Sequence, residues 1–339
     1  MMKPRIGITM GDPSGIGPEI VVRGVNDSVV QRGCLPIVIG DPQIMSRAVQ
    51  LNKSHLEVEV ITNPAEATDV KDTLFVIPSG VLGDHDLIPG KTDKRYGESA
   101  AECCRDAVEF AKRGDIQCIV STPFNKESFH LAGITSLDDM TYFETCFGEK
   151  DTAYMIGEIA GIWVTMVTYH VGLKDVSGLV TKKSVVEKTL GLHDVMQAAD
   201  VSPINIGVAG FNPHSGEGGM FGTEEIDTII PAIHDLHDRG LTVSGPIPPD
   251  SIFLNALDGR YNGIVSMYHD QANIARKILG RNDPGVTIYV GMPVPVLTVP
   301  HGTAFDIAWK GKARADVLIK AVRTAAKMAL STYVVSGKR

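Results

Sequence analysis

The residues best placed to do chemistry are histidines. His214 lies in Phe211-Asn212-Pro213-His214-Ser215-Gly216-Glu217-Gly218-Gly219, directly after the apolar run from Ile204 to Gly210. His170 closes the run from Trp163 to Tyr169, and His269 closes the run from Gly263 to Tyr268. Short apolar runs of this kind read as buried strands of a parallel sheet. Side chains just past the carboxyl ends of such strands form the usual site of open α/β sheets. Three imidazoles delivered by three strands, with one position left open, make a ligand set for a catalytic divalent ion. Three unrelated loop histidines are the plainer alternative, and the runs alone leave both open.

Other polar groups sit at similar places. Lys126 follows the run from Cys118 to Ser121 through Thr122-Pro123-Phe124-Asn125. Asp250 is the one acid of the rigid loop Gly245-Pro246-Ile247-Pro248-Pro249-Asp250-Ser251, and Ala275-Arg276-Lys277 follows His269 within two helical turns, where it can bring cations to the same place. Asp138-Asp139 could hold a cation, or could cap a helix. Gly11-Asp12-Pro13-Ser14-Gly15-Ile16-Gly17-Pro18 reads as a tight turn into a helix whose N-terminus could hold an anion. Its glycine spacing is not the dinucleotide fingerprint, so no cofactor-contacting residue is identified. His193 has no evident partner, while His234 and His237 share one helix face.

These groups need elements to hold them. Strands are expected over Arg5–Met10, Leu35–Gly40, near Val58 and Phe75, at Cys118, and over Val286–Gly291 and Val294–Val299. Helices are expected over about Gly97–Arg113, Lys182–Ala199, Glu224–Arg239 and Val317–Leu330, the first with an apolar stripe of Ala100, Cys103, Cys104, Ala107, Val108 and Ala111. Alternating strands and helices over 339 residues indicate an α/β protein of one large unit or two lobes. A net charge of −8 argues against nucleic acid as a partner. No apolar run is long enough to span a membrane. Five cysteines without a C-x-x-C, and a start that is not a secretory signal, suit the cytoplasm.

The runs Met10–Glu19, Pro123-Phe124-Asn125-Lys126, Asn212–Glu217, Tyr268-His269-Asp270-Gln271 and His301-Gly302-Thr303-Ala304 occur in one order along the chain. In them the sequence resembles the 4-hydroxythreonine-4-phosphate dehydrogenase (PdxA) family, from first strand to last helix. The resemblance implies two α/β/α lobes with a cleft between them, as in isocitrate and isopropylmalate dehydrogenases. It places the first lobe at 1–130 plus 300–339 and the second, carrying the metal histidines, at 131–299. It implies a homodimer with shared active sites and metal ligands drawn from both subunits. It implies oxidation of a β-hydroxy acid by NAD or NADP, with decarboxylation, and a divalent ion such as zinc, magnesium, manganese or cobalt. The family's metal histidines match His170, His214 and His269, and its substrate lysine matches Lys277. Lys126, Asp250 and Lys277 are then the candidates for proton handling.

The substrate anchors depart from the family pattern. Its Gly-His-Thr-Glu run falls on Asp138-Asp139-Met140-Thr141, its substrate asparagine on Thr287, its substrate arginine on Val296, and an acid before His301 on Pro300. An aspartate repels a phosphate dianion, and loss of an arginine removes a bidentate clamp. The expected substrate is therefore an unphosphorylated hydroxy acid or dihydrodiol carboxylate, held by Lys277, Asp139 and Thr287. Two alternatives are an authentic 4-hydroxythreonine-4-phosphate or threonate/erythronate-4-phosphate dehydrogenase, and an inactive metal- or ligand-binding relative.

Overall fold

The computed structural model describes residues 3–83, 87–136, 138–281 and 285–331. Residues 84–86 of the loop expected between Gly80 and Asp93, and Leu137 of the Thr135–Phe147 segment, lie outside them.

Apolar runs become strands wherever a branched core can cover both faces. The first unit extends to Tyr154 and resumes over Val286–Ser331. Its strands are β1 (Arg5–Thr9), β2 (Leu35–Gly40), β3 (Glu57–Val60), β4 (Thr73–Pro78) and β5 (Cys118–Ser121). β11 (Val286–Val290) and β12 (Val296–Thr298) complete it. Their order is β3-β4-β2-β1-β5-β12-β11. All neighbours are parallel except β11, which runs antiparallel to β12 with Thr287 opposite Thr298.

The helices of this unit are α1 (Gly17–Val25), α2 (Ser28–Gly33), α3 (Pro42–Leu51), α4 (Lys94–Lys112), α5 (Lys126–Leu131), α6 (Asp139–Phe147) and α12 (Asp316–Leu330). Carboxylate and amide caps start several of them. Asp41 accepts from Gln43 N and Ile44 N, Asn125 from Ser128 N, and Asp138 from Thr141 N. A cap of this kind is worth about 1 kcal/mol. The expected stripe of α4 is buried in full, in one core with Phe129 of α5, Tyr142, Phe143 and Phe147 of α6, and Val296 of β12.

The second unit is Met155–Gly285. Its strands are β6 (Tyr154–Ile159), β7 (Ile162–Met166), β8 (Ile206–Ala209), β9 (Val243–Ile247) and β10 (Gly263–Ser266), in the order β6-β7-β10-β8-β9. β7, β10, β8 and β9 are parallel, and β6 folds back antiparallel on β7. Its helices are α7 (Val176–Leu179), α8 (Lys182–Ala198), α9 (Ile230–Asp238), α10 (Ile252–Leu257) and α11 (His269–Leu279).

The crossovers thus fall after Tyr154 and Gly285 and not near residues 130 and 300. The reason is apolar packing: α6 buries Phe143 completely in the core of the first unit, and β12 pairs with β5 there.

Candidate active site

β7, β10 and β8 lie side by side and parallel, so their carboxyl ends share one edge of the second unit's sheet. His170 follows β7, His269 opens α11 after β10, and His214 follows β8. The rings of His170 and His269 come together, with centroids 5.6 Å apart and planes at 46°. Asp270 Oδ1 lies 2.7 Å from His269 Nδ1, which leaves Nε2 as that ring's outward nitrogen. A carboxylate on the far nitrogen is the usual support of a metal-ligating imidazole.

His214 sits differently. It begins a turn in which His214, Ser215, Gly216, Glu217 and Gly218 all have left-handed backbone, with φ between 44° and 80°. Each non-glycine residue there costs roughly 1–2 kcal/mol. The turn persists because Glu225, buried in the π-helical turn Glu225–Ile229, grips its approach. Glu225 Oε1 accepts from Phe211 N and Asn212 N, each at 2.7 Å. Asn212 Nδ2 donates to Glu224 Oε2 at 2.7 Å and to Glu225 Oε2 at 2.9 Å. Gly216 makes room: a Cβ there would stand 2.7 Å from Glu225 Oε2. The exposed His214 ring packs near Phe221, at 6.4 Å between centroids.

Among the described residues no three His, Cys, Asp or Glu side chains form a metal-ligand group. The donor chemistry fits a divalent ion and two of the rings are together, while the third is carried on the left-handed turn. Completing the set requires that turn to present His214 toward the other two.

The remaining candidates divide between the units. Asp250, exposed after β9, and Lys277, exposed on α11, belong to the second. Lys126, Asp139 and Thr287 belong to the first. Burial pushes the Asp139 carboxyl up to about 6, and the Lys126 ammonium opposes that shift. Thr287 is buried in β11.

Val296, the position matched to a substrate arginine, is fully buried in the core of the first unit. Arg276 is buried, and a Cβ at Gly157 of β6 would fall 2.0 Å from its Nη2, so glycine is what admits the guanidinium. In the loop before α1, Ser14 N donates to Asp12 Oδ1, Gly15 N to Asp12 O and Ile16 N to Thr303 O, and the Asp12 side chain is buried. His234 and His237 are exposed on α9, and His237 Nε2 lies 2.7 Å from Val243 O.

The sequence profile of the pyridoxal phosphate biosynthetic protein PdxA matches residues 32–325. The chain belongs to the PdxA family. With that family it is an oxidoreductase acting on a CH–OH group. It is 37% identical over 332 residues to the D-threonate 4-phosphate dehydrogenase of Salmonella typhimurium, covering 96% of this chain and 98% of that one. It is 36% identical to the 4-hydroxythreonine-4-phosphate dehydrogenase of Desulforapulum autotrophicum, covering 97% of each. The crystal structure of a 4-hydroxythreonine-4-phosphate dehydrogenase from Burkholderia phymatum superposes with a TM-score of 0.82 at 35% identity, over 97% of this chain and 99% of that one. A terephthalate 1,2-cis-dihydrodiol dehydrogenase from Burkholderia xenovorans shares the fold, with a TM-score of 0.72 at 24% identity over 96% and 98% of the two chains.

Sequence reasoning had no signal for the antiparallel β6, whose Gly157 interrupts its apolar run. It also had none for Glu225 as the clamp of the His214 loop, because a glutamate in a first helical turn is ordinary.

Proposed function

We propose that this PdxA-family chain is a divalent-metal-dependent dehydrogenase that oxidises a phosphorylated four-carbon hydroxy acid with NAD or NADP. The observation that carries the substrate class is the pair of relatives at 36% and 37% identity, aligned over nearly the whole chain, whose names specify 4-phosphate substrates. The dihydrodiol dehydrogenase is more distant and supports the fold alone.

His170, His214 and His269 are the proposed metal ligands, supported by their places at the carboxyl ends of β7, β8 and β10. A divalent ion held there would polarise the substrate hydroxyl and the neighbouring oxygen. The chain's own groups manage the protons. The hydroxyl proton would pass to a base, and NAD or NADP, when bound, would supply the acceptor for the carbinol hydride. In a β-keto acid product, the carbon–carbon bond to the carboxylate then breaks, carbon dioxide leaves, and its electron pair forms an enolate that is protonated. Asp250, in the loop after β9, the strand that pairs with β8, has the acceptor chemistry for the first proton. Lys277 and Lys126 have the donor chemistry for the last one and the positive charge to hold a carboxylate or phosphate.

A homodimer is part of the proposal. Leu254 of α10 is 62% exposed, and Ile274 and Ile278 of α11 are 62% and 70% exposed, while the inner faces of both helices fill the core of the second unit. Exposed apolar residues at i and i+4 on one helix suit a subunit contact.

A second reading, an unphosphorylated hydroxy acid, is favoured by the departures from the family's anchor pattern, above all by Asp139, whose carboxylate beside a phosphate would be repulsive. Initial rates of NAD(P) reduction on D-threonate 4-phosphate and on D-threonate, with the metal-loaded protein, separate the two. Turnover of the phosphorylated acid alone supports the proposal, and turnover of threonate alone refutes it.

A further inference from the structure

Side-chain hydrogen bonds connect the histidine-bearing strand ends. Gln271 lies two residues beyond His269. Its Oε1 accepts from Met267 N at 2.6 Å, and its Nε2 donates to Gly210 O at 2.9 Å. Met267 lies just past β10, and Gly210 is where the His214 loop leaves β8. One amide therefore spans two neighbouring strand ends, and its partners, one backbone donor and one backbone acceptor, permit only one orientation of the amide. The stitching continues on both sides. Met267 O accepts from Thr168 N at 3.1 Å and from Thr168 Oγ1 at 2.8 Å, two residues before His170. The Phe211 ring meets Tyr268 edge-on at 6.3 Å.

We propose that Gln271 is a positioning residue that holds the His214 loop in register with the start of α11, so that the imidazoles of adjacent strand ends can converge. The claim of convergence rests on the metal reading above. Three features make the side chain suited to this. It donates and accepts at once, its partners do not titrate, and it bridges elements whose own ladder has ended. The left-handed turn it abuts is internally costly, so the turn's register depends on outside contacts such as this one and Glu225.

The test uses Gln271→Met, which removes both bonds at similar volume, and Gln271→Glu, which keeps the acceptor for Met267 N and removes the donor to Gly210 O. Amide hydrogen exchange of the metal-free proteins reads the loop directly. The proposal expects faster exchange over 211–219 in both variants, and faster exchange of the Met267 amide in Gln271→Met only. Zinc affinity, by competition with a chromophoric chelator, should fall about 10–100-fold in both. The visible absorption of the cobalt-loaded protein should change in band position or intensity, which a merely destabilised protein would not show. Wild-type exchange over 211–219 together with an unchanged cobalt spectrum would overturn the proposal. Should the wild type bind neither zinc nor cobalt while Gln271→Met still loosens 211–219, the metal reading fails and the positioning of the loop by Gln271 is upheld.

Discussion

Asp270 and Asp139 show how much a single carboxylate depends on what it faces. Asp270 supports His269 from an exposed position, 2.7 Å from Nδ1. Replacing it by asparagine keeps an acceptor oxygen but removes the charge, so zinc affinity should fall about 10-fold or more by calorimetric titration. Asp139 is set by burial: its carboxyl is raised from 3.8 to about 6 in the folded chain. The folded state therefore favours the neutral acid, a preference fully present below the unfolded value and lost as pH rises through the folded one. Denaturant midpoints of wild type should accordingly fall relative to Asp139→Asn between about pH 4 and about pH 6.5, then run parallel above that. His170, His214 and His269 were legible as strand-end residues because each closes or follows an apolar run.

At the scale of elements, the parallel strands were legible from continuous apolar runs, and α4 from its stripe. The loops after β8 and β10 were legible as places but not as shapes. Nothing in Pro213–Gly219 announces a run of left-handed residues beyond its glycines, because three of the five that adopt that backbone have side chains. The strain there is sustained by Glu225 and Asn212, which lie outside the turn. Gly216→Ala should destabilise the protein by about 1–2 kcal/mol, measured by urea unfolding, since alanine is strained at this φ of 80°. It should also weaken zinc binding more than Phe143→Ala does. That substitution opens the core of the first unit and should cost about 3–5 kcal/mol in the same unfolding measurement.

For the whole molecule, the sequence indicated two units but misplaced their borders, because the segment after residue 130 carries Tyr142, Phe143 and Phe147 into the first core. Among the described residues no helix is long and apolar enough to cross a membrane. The exposed apolar face of α11 leads to a test at this scale. A doubly substituted Ile274→Glu, Ile278→Glu chain should elute as a monomer in light-scattering chromatography where wild type elutes as a dimer. The central claim, that the family's machinery here serves a phosphorylated four-carbon acid, is tested most directly by NAD(P) reduction. The metal-loaded protein would be assayed on D-threonate 4-phosphate and 4-hydroxythreonine 4-phosphate beside their unphosphorylated counterparts and a dihydrodiol carboxylate, with His214→Ala as control. Turnover confined to phosphorylated acids, abolished in His214→Ala and by chelation, is the predicted result. Turnover confined to the unphosphorylated compounds would contradict it.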